Sequence, residues 1–188
     1  MNAYELPESL EIGGVAYTIR TDFRAVLDIL KCYADPEYEE DERALIMLRV
    51  LYIDWEKIPE DLYEEALRQG AEFIDMGISS EGKLSRCVMD WEQDAPIIIP
   101  AVNKVFGADV RGLLHLHWWT FLGAYMEIGE SLYSTVLQIR QKKAQKKKLE
   151  KYEQDFFQQN RSIVELRRKD TEEQREEKNE LIKMLDGK

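Results

Sequence analysis

Residues 113–126, LLHLHWWTFLGAYM, form the most apolar stretch of the chain and decide the fold that we expect. If the stretch is helical, apolar side chains cover nearly every side of it, which is typical of a helix at the centre of a bundle. It is well short of the roughly 20 residues that a membrane span needs. We therefore predict a buried core helix from Val110 to about Ile128, capped by Asp109. Trp118 and Trp119 are expected in the core, and the alternative is an exposed aromatic binding surface.

The sequence on both sides of this helix predicts its packing partners. Apolar residues at helical spacing follow one another in residues 23–30, 45–52, 62–74, 97–106 and 132–139. Before them, Leu10 and Ile12 alternate with polar residues, and Gly13-Gly14 is a turn signal, so residues 10–19 read as a β-hairpin. The predicted fold class is all-α, a mainly helical bundle with a short N-terminal β-hairpin and a charged C-terminal helix.

Charge divides the chain into two parts. The net charge is −11 over 188 residues. Residues 1–139 hold 26 acids and 11 bases, a net of −15, whereas residues 140–188 hold 11 acids and 15 bases, a net of +4. We predict an acidic helical body with the hairpin (1–139) and a basic, charged C-terminal helical extension (140–188).

Composition also limits the partners and the compartment. An acidic body repels phosphate backbones, so we expect no nucleic-acid partner. No stretch is apolar enough to predict a membrane span. Two distant cysteines without a C-x-x-C motif indicate reduced thiols. We expect a soluble protein of the cytoplasm.

The basic extension predicts a surface that binds a protein. Residues 140–148, RQKKAQKKK, hold six bases and no acid. Apolar residues then recur at heptad-like spacing through residues 149–166, which predicts one helix with an apolar stripe that needs a partner surface. The alternative is a solvated helix face. The predicted partner-binding residues are Lys142, Lys143, Lys146, Lys147, Lys148, Tyr152, Phe156 and Ile163.

Catalytic and metal sites are weakly indicated. His115 and His117, two apart on the predicted helix, would point about 200° away from each other and could not share a metal. Carboxylates three or four residues apart can hold magnesium in all-helical nucleotide hydrolases, but acids at helix starts are usually solvated. Such pairs here are Glu60–Glu64, Asp61–Glu65 and Asp90–Asp94. We expect no enzyme activity, no catalytic residues, no metal and no cofactor.

The second half of the chain resembles a known phage family. The stretches are DWEQDAPIIIPAVNKVFG (90–107) and LLHLHWWTFLGAYMEIGESLYSTVLQIRQKKAQKKKLEKYEQDFFQQN (113–160). The specific points are Leu116-His117 before Trp119–Phe121, then Ile139-Arg140-x-Lys142, then Lys151-x-Glu153-x-x-Phe156. These residues resemble the bacteriophage gene product fifteen family of siphophages and prophages of Gram-positive bacteria. The N-terminal hairpin and the helix after it are similar to the same family.

The resemblance implies a function in tail assembly. The genes of this family usually precede the tape-measure gene, which implies a tail-assembly chaperone working in the host cytoplasm. The implied partner is the tape-measure protein, with the tail-tube protein and a homo-oligomer as further candidates. One alternative is a structural tail protein that stays in the virion. A second, from another class, is a metal-dependent nucleotide hydrolase.

Overall fold

A computed structural model describes residues 4–77 and 88–167, and helices dominate it. About 60% of it is helical, which confirms the mainly helical class with an N-terminal hairpin. Short 3-10 turns lie at Trp55–Lys57, Glu60–Leu62 and Val110–Gly112. The elements of the described ranges are β1 (Ser9–Ile12), β2 (Val15–Thr18), α1 (Phe23–Ala34), α2 (Glu40–Leu51), α3 (Tyr63–Ile74), α4 (Ala95–Phe106), α5 (Trp118–Met126), α6 (Leu132–Ala144), α7 (Lys151–Gln159) and α8 (Arg161–Val164).

The hairpin forms where the sequence predicts it. β1 and β2 are antiparallel, with Ser9 opposite Thr18 and Ile12 opposite Val15. Gly13 and Gly14 have φ angles of 57° and 77°, the left-handed values that a two-residue hairpin turn requires. A Cβ atom on Gly13 would lie 2.6 Å from Leu62 Cδ1, so this glycine also lets the hairpin turn pack against the 3-10 turn at Glu60–Leu62.

Helix α1 begins at an aspartate cap. Asp22 accepts a hydrogen bond from the Arg24 backbone N–H at 3.0 Å. Its second carboxylate oxygen accepts one from the Leu116 N–H, also at 3.0 Å. The cap therefore also fixes the segment that leads into α5.

The single helix predicted from Val110 to Ile128 is wrong in its first half. The chain is extended before His117, and α5 begins only at Trp118. In this segment Leu116 accepts from Phe23 N at 3.0 Å, and Trp118 N donates to Thr21 at 2.6 Å. These backbone bonds to the start of α1 replace those of a helix, and apolar spacing alone does not distinguish the two.

The tryptophan pair lies in the core, as predicted. Trp118 and Trp119 are 1% and 7% exposed. Their indole N–H groups donate to the carbonyls of Ile74 and Phe73, each at 2.8 Å. Each large ring therefore has its polar atom satisfied by the last turn of α3, whose final carbonyls have no partner within the helix.

Helices α2 and α3 approach each other closely because α3 carries a glycine. A Cβ atom on Gly70 would lie 2.7 Å from Met47 Cε and 2.8 Å from Leu51 Cδ2. The Tyr52 hydroxyl, just after α2, donates to the Ala66 carbonyl at 2.7 Å. The pair forms one wall of the main core, and α1 also packs against α2.

The C-terminal part is a small second core rather than one striped helix. The predicted continuous helix over residues 149–166 is wrong, because Asn160 leaves helical geometry between α7 and α8. Asn160 is a good helix terminator here, since its backbone and side-chain N–H groups both donate to the Phe156 carbonyl. The break brings Val164 onto α6 beside Val136 and Ile139, all three fully buried. Residues 167–180 hold no apolar side chain, which predicts a solvated single helix or a disordered stretch, and all of them but Arg167 lie outside the described residues.

Candidate binding surfaces

A buried ion pair joins the body to the C-terminal helices. Arg140 and Asp94 have side chains 4% and 1% exposed, and two N–O contacts of 2.6 and 2.8 Å connect them. The remaining guanidinium donors bond the carbonyls of Val88, Ile163 and Val164 at 3.1, 2.8 and 2.7 Å. All five N–H donors of Arg140 are therefore used. Both carboxylate oxygens of Asp94 accept from the guanidinium of Arg140, as in a structural ion pair.

The sequence interpretation missed this pair. Asp94 was predicted to be a solvated acid at a helix start, and that prediction is wrong. Arg140 was read as the first charge of the basic run, but it is buried in the middle of α6. The helix continues through the position where the charge of the chain reverses.

Two of the predicted partner-binding lysines are engaged within the chain. Lys142 bonds the buried Glu153 carboxylate, and Glu150 lies 3.9 Å away. The hydrogen bond from Lys142 holds the pKa of Glu153 below its ordinary value, and the same bond raises the pKa of Lys142. Lys143 lies over the Phe157 ring at 3.6 Å, a cation–π contact. These two lysines hold α7 against α6.

The other predicted residues separate into exposed and packed groups. Lys146, Lys147 and Lys148 are exposed, and they form no ion pair with any described residue. Tyr152 is 57% exposed on α7. Phe156 and Ile163 instead pack against the small second core. The exposed lysines and Tyr152 therefore form what we call the basic edge, residues 146–148 and 152.

The two histidines occupy the extended segment before α5, not one helix as predicted. His117 is the N-cap of α5, and its Nδ1 accepts from Trp119 N at 3.1 Å. Its Nε2 lies 3.1 Å from the Pro7 carbonyl, so that nitrogen carries the proton. Burial lowers the pKa of His117, although the Pro7 bond opposes the shift. His115 contacts the Thr21 hydroxyl at 3.0 Å.

A groove of about 560 Å³ opens between α1, α2 and α3. Its lining is mostly apolar, and sequence reasoning gave no sign of it, because it depends on how three helices pack. The small side chains of Ala44 and Ala71 leave space between larger ones. The lining residues are Ile29, Leu30, Tyr33, Glu40, Arg43, Ala44, Met47, Leu67, Ala71, Ile74 and Asp75.

The polar groups of the groove lie among these apolar side chains. The Tyr33 hydroxyl donates to the Met47 sulfur at 3.3 Å. Arg43 donates from Nη2 to the Asp35 carbonyl at 2.8 Å, but its buried Nε has no partner among the described residues. Asp75 is largely exposed, yet partial burial raises the pKa of its carboxyl. A cation placed here would favour the charged form of Asp75.

One family model, described as Bacteriophage Gp15 protein, matches residues 3–166 of the chain. The chain belongs to the bacteriophage Gp15 family. It is thus a phage structural or morphogenesis protein. No curated protein and no solved structure matches it.

Two further observations bear on what a Gp15-family chain of this shape can do. Residues 4–77 and 88–167 contain no group of three or more His, Cys, Asp or Glu side chains that could hold a metal ion. In the same ranges, no helix has both the length and the apolarity of a membrane span. Among the described surfaces, the groove has a mostly apolar lining, and the basic edge has three adjacent exposed lysines.

Proposed function

We propose that this Gp15-family chain is a tail-assembly chaperone that binds the tape-measure protein during tail morphogenesis in the host cytoplasm. The observation that carries the proposal is the family match, which extends over residues 3–166 and so includes both binding surfaces. A tape-measure protein is long, helical and amphipathic, so its apolar faces need a bound protein that prevents aggregation until tube subunits surround it. The groove and the basic edge are the parts of this chain suited to that contact.

The charge distribution supports a soluble and reversible cover. The body, residues 1–139, has a net charge of −15, which keeps a protein soluble while its apolar groove stays open. An apolar groove gives the contact its strength, and charges around it guide the partner and set the orientation.

The same distribution supports several copies on one partner. The exposed lysines of the basic edge and the acidic body are opposite in charge on one chain. A head-to-tail contact between copies does not close on itself and extends along a filament-like client. The tail-tube protein is the second proposed partner, since it replaces the cover as the tube grows.

Co-expression with the tape-measure protein of the same phage tests the proposal. We expect the tape-measure protein to become soluble and to co-purify with this chain. The complex should persist at 1 M salt through its apolar part, although the screening length falls from about 10 Å at 0.1 M to about 3 Å. If the tape-measure protein stays insoluble and no complex elutes at either salt concentration, the chaperone proposal fails.

The basic edge has a matched set of variants. Replacing Lys146, Lys147 and Lys148 together by Glu should weaken the complex at 0.1 M salt, whereas replacing the same three by Arg should not. Equal binding by both triple variants would remove the basic edge from the proposed interface.

Mass spectrometry of mature virions distinguishes a chaperone from a structural tail protein. A chaperone leaves when the tube is complete, so its peptides should be absent from purified virions. Peptides of this chain in stoichiometric amount with the tube protein would establish the structural alternative.

We also expect no magnesium-dependent hydrolysis of nucleoside triphosphates by the purified protein. Hydrolysis by the parent that is lost in the double variant Glu60→Gln/Glu64→Gln would contradict that expectation.

A further inference from the structure

We infer that the groove between α1, α2 and α3 is a docking site for the apolar face of an amphipathic helix that carries lysine or arginine beside that face. The inference deepens the proposed function and rests on it for the identity of the natural partner.

The walls of the groove fit a row of apolar side chains. Leu30 and Leu67 are only half-buried, and Ala71 is exposed, so apolar surface remains in contact with water. Ile29, Met47 and Ile74 are buried beneath them and give the groove a fixed floor. A helix that places residues i, i+3, i+4 and i+7 on one face covers such a surface. Covering it removes apolar area from water, which stabilises the complex.

Charge selects a cationic helix over an anionic one. Glu40 and Asp75 line the groove, and Asp41 follows Glu40 on the exposed side of α2. None of these three forms an ion pair with a described lysine or arginine. The burial that raises the pKa of Asp75 would be offset by a cation at the edge of a docked helix.

Among the described residues that line the groove, Arg43 is the one cation, and its side chain is incompletely bonded. Its Nε is buried without a partner in the part of the chain that the structure describes. A buried donor without an acceptor is energetically costly. An acceptor on the docked helix would therefore favour rotation of the Arg43 side chain so that its Nε can donate to that acceptor. The last carbonyl groups of a helix receive no hydrogen bond within that helix, so they are suited to accept from Arg43.

Two arginine substitutions separate groove binding from general attraction to an acidic protein. Ala71→Arg fills the groove and places its charge four residues before Asp75, where the two can pair. Ala108→Arg adds the same charge at an exposed position outside the groove. Both alanines are exposed, so both variants should keep the melting temperature and the circular dichroism spectrum of the parent.

The probe is a fluorescein-labelled peptide of 18 residues with leucines at i, i+3, i+4 and i+7 spacing and lysines elsewhere. Fluorescence anisotropy gives its Kd for the full chain. We expect Ala71→Arg to weaken binding at least about tenfold, since an arginine would occupy the apolar site, and Ala108→Arg to weaken it less than about threefold. A matched leucine–glutamate peptide should bind far more weakly than the lysine peptide.

Three results would overturn the inference. The first is equal weakening by both arginine variants, which indicates attraction to the acidic body as a whole. The second is a parent that is dimeric by sedimentation and becomes monomeric in Ala71→Arg, which assigns the groove to a second copy. The third is competition by a peptide of residues 178–188 together with tighter probe binding after truncation at Arg167, which assigns the groove to the chain's own end.

Co-expression with the tape-measure protein separates this inference from the proposed function. If the parent solubilises the tape-measure protein and Ala71→Arg does so equally well, the groove is not the docking site, but the chaperone function stands. If even the parent fails, the proposed function fails, and the peptide experiment alone decides the chemistry of the groove.

Discussion

Replacing Asp94 by alanine removes one half of the buried pair and leaves Arg140 charged in a place with almost no water. The guanidinium side chain is 4% exposed, and it loses two of its five hydrogen bonds, those of 2.6 and 2.8 Å. The Asp90 N–H also loses its acceptor on Asp94, at 3.0 Å. Breaking a buried pair from one side costs about 3–5 kcal/mol. We therefore expect Asp94→Ala to lower the free energy of unfolding by that amount.

Urea denaturation followed by tryptophan fluorescence measures this loss. For a chain of this length, about 3–5 kcal/mol corresponds to a melting temperature roughly 6–20 °C lower. The matched control is Glu72→Ala, which breaks the exposed pair with Arg68, whose side chains are 57% and 48% exposed. That substitution should cost less than about 1 kcal/mol.

A double variant tests whether the loss of stability comes from the unpaired charge of Arg140. Asp94→Leu/Arg140→Met removes both charges, so it should recover part of the loss. Recovery should be incomplete, because the carbonyls of Val88, Ile163 and Val164 lose their donor. A cost below about 1 kcal/mol for Asp94→Ala would refute the argument that the pair is a buried, fully bonded junction.

The remaining predictions concern the core, the pH dependence and the hairpin turn. Trp119→Ala should cost about 3–5 kcal/mol in urea denaturation, and a normally stable variant would show that the ring is not core. Because burial puts the pKa of His117 below its ordinary value, the unfolded chain binds the proton first as pH falls. The contribution of His117 to stability should be complete above about pH 6.5 and decline below it. His117→Asn can keep the helix cap but does not titrate, so its melting temperature should fall less as the pH is lowered. Gly13→Ala should destabilise more than Gly14→Ala. Both glycines have positive φ, but only the new Cβ at position 13 would also collide with Leu62. Equal melting temperatures of the two variants would contradict this.

Local patterns predicted the elements whose causes are local. The alternation around Gly13-Gly14 predicted the hairpin. The apolar stretch around Trp118 and Trp119 predicted the core, because two tryptophans beside many aliphatic residues are seldom left in water.

The features that sequence reasoning missed depend on residues far apart in the chain. The extended segment before α5 is held by bonds to residues 21–23, about 95 positions away, as the separation of 94 between Asp22 and Leu116 shows. The groove depends on the packing of three helices, and apolar spacing does not tell which apolar positions remain uncovered. Asn160 did carry a local signal for a helix end, which the regular apolar spacing around it concealed.

The pair of Asp94 and Arg140 also sets an order for folding during synthesis. The two residues are 46 positions apart in the chain. At 5–20 residues per second, Arg140 is made about 2 to 9 s after Asp94. During that interval the start of α4 has a carboxylate whose countercharge does not yet exist. The contact between the start of α4 and α6 therefore cannot form until residue 140 has been made.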